Sequence, residues 1–172
     1  VSVGVSLDSE RRESTVALAW QRGDGSVLVE SKTMAGVRWA AAYVAAMPHL
    51  SNVAALNARL DRGCMDELER IWAADPDATP VPVLRVPRAD AAAAAGEWLA
   101  SVEESGSTFG EFSPALKAAL ASADLPVGGW WVSRDGEPIT AVQAHTMAVW
   151  AAGHAPVPER RRENRIVCGR PA

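Results

Sequence analysis

The chain has 172 residues, 48% of them hydrophobic and 22% charged, which is the length and composition of one globular domain able to bury roughly 70% of its unfolded surface without staples. Its two cysteines, Cys64 and Cys168, lack CxxC spacing, which excludes a zinc-finger or disulfide framework and points to a reducing compartment. A net charge of −4 excludes a broadly cationic nucleic-acid binder, so any basic surface has to be local.

Residues 1–6 alternate small polar residues with Val, and 14–21 and 26–30 read as two more strands joined through Arg22-Gly23-Asp24-Gly25, an antiparallel meander. Val37, Ala40, Ala41 and Val44 then recur at helical spacing up to Met47, where Pro48 stops the helix. A short apolar strand follows at 52–56. Met65, Leu68, Ile71 and Trp72 form the stripe of a second helix, closed by Asp75-Pro76-Asp77 before a strand at 81–86.

Residues 90–102 and 113–123 read as two helices, the first Ala-rich and the second carrying Leu116, Ala119 and Leu120 on one face. A last short strand at 130–133 and a turn at Arg134-Asp135-Gly136 lead into a helix with Pro138 in its first turn. A meander followed by alternating helices and strands predicts an α/β fold with a mixed sheet of five to six strands and helices on both faces. The expected division is a domain over 1–155 and an Arg-rich tail over 156–172.

No apolar run reaches the ~18 residues of a spanning helix, and the start shows no signal-peptide pattern, so a cytoplasmic protein is expected. Val1 in place of Met is expected of a piece cut from something longer. Arg160, Arg161, Arg162, Arg165 and Arg170 could follow DNA phosphates, with a solvated tail as the plainer reading. Trp20, Trp72, Trp98 and Trp150 fall on apolar faces and are expected in the core. Trp130 and Trp131, if in a strand, would point to opposite faces and leave one exposed. His145 has no second His or Cys at metal spacing and is expected to be a packed or surface residue.

Several segments, in order, carry a family resemblance: Val3-Gly4-Val5-Ser6-Leu7-Asp8, the hairpin through Gly23-Asp24-Gly25, Val53-Ala54-Ala55-Leu56-Asn57, Val83-Leu84-Arg85-Val86, Ser113-Pro114-Ala115-Leu116 and Ile139-Thr140-Ala141-Val142-Gln143-Ala144-His145. From residue 1 to about 152 the chain resembles the C-terminal nuclease domain of the large terminase subunits of actinobacterial phages and prophages. The resemblance implies a ribonuclease-H-like fold that cuts concatemeric double-stranded DNA during genome packaging, with carboxylates holding two Mg²⁺ or Mn²⁺ ions. It also implies an upstream ATPase domain on the same large subunit, with the small terminase subunit and portal as further partners and host cytoplasm as the location. No GxxxxGK[ST] loop occurs here, so the motor would lie upstream of Val1.

Two-metal hydrolysis needs carboxylates clustered around ions ~3.5 to 4 Å apart, and here the chain departs from the pattern. The resemblance puts the first carboxylate at Gly4, which offers no ligand, and the second at Asn57, whose amide oxygen can coordinate but carries no charge. The third falls next to Glu137. Asp8 and, more weakly, Glu10 are rescue candidates. The plain alternatives are a turn Asp at 8, a strand-ending Asn at 57 and an acidic helix N-terminus at 137.

Three readings stay open: a metal-dependent endonuclease with catalytic and metal-binding residues Asp8, Asn57 and Glu137; a degenerate terminase-like domain with a docking or DNA-guiding role; and an unrelated α/β module that mimics the pattern. An acidic cluster at one end of the sheet would favour the first, an uncharged pocket the second, and a different strand order the third.

Overall fold

The computed structural model describes residues 1–103, 108–110 and 113–155, so the Arg-rich tail lies outside the described residues. Three antiparallel strands open the chain, β1 (Ser2–Leu7), β2 (Glu13–Gln21) and β3 (Val27–Ala35). The β2–β3 turn is set by Asp24, whose Oδ1 accepts from the Ser26 backbone N–H at 2.9 Å and from its hydroxyl at 2.6 Å, and by Gly25 at φ 86°. β3 runs past the expected end at residue 30, and the Thr15 and Thr33 hydroxyls, 2.7 Å apart, pair across the added part of the ladder.

Helix α1 (Trp39–Ala45) leads to β4 (Asn52–Leu56), α2 (Arg59–Ala74), β5 (Val83–Val86) and α3 (Arg88–Glu103). A three-residue strand β6 (Thr108–Gly110) that sequence patterning misses precedes α4 (Pro114–Ser122). Helix α4 starts as its sequence dictates, with the Ser113 hydroxyl accepting the Leu116 N–H at 3.1 Å and Pro at the first helical position. A small hairpin of β7 (Ala123–Asp124) and β8 (Val132–Ser133) precedes α5 (Thr140–Gly153), which starts two residues after Pro138.

The main sheet has the order β5-β4-β1-β2-β3-β6, with β1, β4 and β5 parallel to one another and β6 parallel to β3. Alternation along β1 assigns the two faces. Val3, Val5 and Leu7 join Val16, Val53, Ala55, Met65, Leu68 and Trp72 under α1 and α2. On the opposite face Ala17, Ala19 and Val29 meet Ala144, Ala148 and Ala152 of α5. Beside them α3, α4 and α5 close a third cluster around Trp98, Leu116, Trp131 and Met147.

Helix α5 lies unusually close to the sheet because the residues beneath it are small. A Cβ on Gly4 would sit 2.1 Å from the Ala144 carbonyl oxygen and 2.3 Å from the Ala148 nitrogen. Asn52, fully buried in β4, ties the far end of α5 down by donating to the Ala151 carbonyl at 2.8 Å.

The tryptophans correct one expectation. Trp130 and Trp131 precede the two-residue β8 rather than lying in a strand, so no alternation separates them and both are buried. Trp131 packs edge-on to Trp98 and donates its indole N–H to Thr146 at 2.9 Å. Trp72 and Trp98 are buried as expected, whereas Trp20 and Trp150 are only half-buried. His145 is a packed residue, its Nε2 2.9 Å from the Ser31 hydroxyl.

Candidate functional site

Parallel strands end together, and in α/β sheets the crevice beyond their carboxyl ends is where ligands bind. Here β1, β4 and β5 end at Leu7, Leu56 and Val86, and a cleft of about 910 Å³ opens beyond them. Asp8, Glu10, Asn57 and Glu137 all line it. The residues singled out from sequence therefore meet at one place, although the chain brings them from three separate connections.

Their states differ. Asp8 ends β1 with its side chain turned into the β1–β2 connection, 8% exposed. Arg12 donates Nε to Asp8 Oδ2 at 3.0 Å, Nη2 to Oδ1 at 3.2 Å and its backbone N–H to Oδ2 at 3.1 Å. These hydrogen bonds from Arg12 hold the Asp8 carboxyl below its ordinary range. Asn57 is exposed, and its backbone N–H, not its side chain, bonds to the Val86 carbonyl at 2.7 Å. Glu137 is exposed, its N–H held by Asp135 Oδ1 at 3.0 Å in a turn that Asp135 also fastens to Ser122 and Ser133.

Gly4 is not a position from which a ligand is merely missing. It faces the backbone of α5, so a side chain there would require the helix to shift, and Gly4 offers no ligand, as expected from the sequence. The residue on the same face but nearer the cleft is Ser6, whose hydroxyl donates to Gln143 Oε1 at 2.8 Å. Gln143 lines the cleft and its amide also donates to the Trp131 carbonyl at 3.3 Å. The end of β1 nearest the cleft thus presents a neutral hydroxyl–amide pair where a carboxylate would serve a metal.

Sequence reasoning also missed Asp61, in the first turn of α2 and 6% exposed. It accepts the Leu7 N–H at 3.1 Å, pinning the end of β1, and burial pushes its carboxyl up to about 7. The signal was present: Asp61 stands four residues before Met65 and seven before Leu68, on the buried stripe of α2. Missed too were the cations. Arg11, Arg59 and Arg88 line the cleft, are exposed, and make no ion pair among the described residues, while Arg12, exposed as well, is paired with Asp8.

No protein-family model matches the chain, and no curated protein matches it. A search of solved structures gives the crystal structure of the HK97 bacteriophage large terminase, with a TM-score of 0.62 at 16% identity over 86% of this chain. The fold is terminase-like. With a mixed sheet and helices on both faces, it agrees with the ribonuclease-H-like α/β fold expected from the sequence. The chain spans 39% of the length of that terminase.

The remaining question at the cleft is whether its donors suit the two divalent ions that the resemblance implies. Among the described residues no group of three or more His, Cys, Asp and Glu side chains is placed to hold a metal ion. Asp8 is forked by Arg12, Asn57 is neutral, Ser6 and Gln143 satisfy each other, and Glu137 stands alone in solvent. Hard cations need several charged oxygens to offset dehydration, and this set does not fit a two-metal centre. Neither the acidic cluster of the first reading nor the uncharged pocket of the second describes the cleft, which mixes carboxylates with guanidinium groups. Among the described residues no helix is long and apolar enough to cross a membrane.

Proposed function

We propose that this chain is the nuclease-type domain of a phage terminase large subunit that engages double-stranded DNA through the cleft at the ends of β1, β4 and β5 but does not cut it. The observation that carries this reading is the charge arrangement. Three guanidinium groups without an ion pair among the described residues, Arg11, Arg59 and Arg88, line the cleft, while Asp8, its most buried carboxylate but for Asp61, is neutralised by Arg12. Guanidinium groups bind phosphate oxygens in a fork, and they do so without a metal. The Arg160, Arg161, Arg162 and Arg165 run would extend the same contacts along the duplex, although it lies outside the described residues.

In this reading the cutting of concatemers with Mg²⁺ or Mn²⁺, for which Asp8, Asn57 and Glu137 are the reduced ligand set expected from the sequence, is not retained, and guiding or holding DNA is what this copy keeps. The ATPase domain would stand upstream on the same large subunit, with the small subunit and portal as its other partners.

Binding of a fluorescein-labelled duplex, followed by anisotropy in EDTA at low salt, tests the proposal. The unaltered chain is expected to bind, and Arg59→Glu/Arg88→Glu to raise Kd at least about tenfold and to reduce the slope of log Kd against log salt by about 2, one for each phosphate contact removed. Equal affinities and slopes for the two proteins would rule the cleft out as the DNA surface.

A further inference from the structure

One guanidinium in the cleft is placed differently from the others. All four are exposed, but Arg11, Arg59 and Arg88 make no ion pair among the described residues, whereas Arg12 is folded back among oxygens. Beyond its two-pronged contact with Asp8, its Nη2 donates to the Gly136 carbonyl at 2.7 Å and its Nε stands 3.4 Å from Glu10 Oε2. The side-chain hydrogen bond to Asp8 is the main cause of a raised Arg12 pKa, and the negative charges of Asp8, Glu10 and Glu137 act in the same direction. Arg12 therefore contacts Asp8 and Glu10 together with the backbone carbonyl of the residue before Glu137, whose charge acts on it from further off.

These are the oxygens, from the end of β1 and the approach to α5, that a hard cation in this cleft would draw on. A carboxylate that accepts two N–H bonds from one guanidinium has the lone pairs on that edge engaged, and a second cation brought to the same oxygens meets a fixed positive charge. Arg12 also closes the β1–β2 turn onto the β8–α5 connection, so the guanidinium is held from both sides of the cleft rather than lying free on a long side chain.

We propose that the Arg12 guanidinium occupies the cation position of this cleft, so that the protein carries its own positive charge among the oxygens on which a divalent ion there would draw. The site is thereby closed to metal as long as Arg12 is present, and removal of Arg12 opens it. This rests on the placement of Arg12 and not on nucleic-acid binding.

The experiment titrates the full chain with Mn²⁺ and reads the free-ion signal by electron paramagnetic resonance, with no DNA present, so that its failure is separable from failure of the duplex-binding test. The unaltered chain and Asp8→Asn are expected to leave the same free Mn²⁺ signal. Arg12→Gln is expected to deplete that signal by about one ion per chain, and Arg12→Gln/Asp8→Asn to restore it. Depletion by the unaltered chain that Asp8→Asn removes would overturn the proposal, as would a folded Arg12→Gln chain, checked by circular dichroism, that leaves the signal undiminished. The first comparison needs no change at Arg12, so it can overturn the proposal even where Arg12→Gln does not fold.

Discussion

Gly4→Ala is expected to destabilise the domain by about 3 kcal/mol or more, and Gly4→Asp to prevent folding altogether. Overpacking of a close-packed interior costs typically 1–3 kcal/mol when side chains can give way, but the atoms that a Cβ would meet here, at 2.1 and 2.3 Å, are the Ala144 oxygen and the Ala148 nitrogen of the α5 backbone. Relief requires the whole helix to lift from β1, breaking the small-on-small contact of Ala17, Ala19, Ala144 and Ala148 and pulling against the Asn52 tether to Ala151. A loss of this size lowers Tm by about 6–12 °C in a domain of this length. Urea titration of Gly4→Ala checks it, and a change below about 1 kcal/mol would show that α5 is not seated on β1 as described.

The second large effect is in the pH dependence of stability, where two buried groups oppose each other. Burial raises the Asp61 carboxyl from 3.8 to about 7, so between those values the folded state holds a proton that the unfolded state has released, and stability falls as pH rises through the window. Burial lowers the His145 imidazole from 6.5 to about 4, so between those values the unfolded state holds the extra proton, and stability rises with pH. The full spans correspond to on the order of 4 kcal/mol for Asp61 and 3 kcal/mol for His145 at 1.36 kcal/mol per pKa unit.

The unaltered chain is therefore expected to be nearly level in stability between pH 4 and 6.5 and to weaken toward pH 7 and above. Asp61→Asn keeps an oxygen to accept the Leu7 N–H but has no charge to bury. Its stability is expected to climb from pH 4 to 6.5 and to exceed that of the unaltered chain by a few kcal/mol at pH 8. His145→Gln should show the reverse, a decline from pH 4 through 7. Parallel pH profiles for the three proteins, measured by urea unfolding, would contradict this account of both groups.

Much of the sheet was legible because burial imposes period-two alternation on its strands, and β4 at residues 52–56 matches its expected bounds. The ends of β3 and α1 were less so, because the ladder partner of β3 and the packing of α1 lie far off in sequence. Trp130 and Trp131 misled because adjacent residues separate only in a strand, and the chain there is held instead by indole packing and the Thr146 hydrogen bond. At the cleft, the loops that would hold Asp8, Asn57 and Glu137 were placed correctly from element order. The surroundings of Asp8 were less legible, because they depend on Arg12, four residues on, folding back across a turn. Charge type is visible in a sequence, but the pairing of charges is set by turn geometry. One polar residue at the cleft was legible locally, since the alternation that buries Val3, Val5 and Leu7 already puts Ser6 on the Gly4 face and nearer the open end.

The central claim is that this cleft keeps a surface for phosphodiesters and has lost the charged oxygens needed to cut them. Incubation of supercoiled plasmid with the purified chain in Mn²⁺, beside an EDTA control and an Asp8→Asn variant, tests it most directly. The account predicts no nicking above the EDTA control by either protein. Mn²⁺-dependent nicking by the unaltered chain that Asp8→Asn abolishes would contradict it and return this domain to the metal-dependent nucleases.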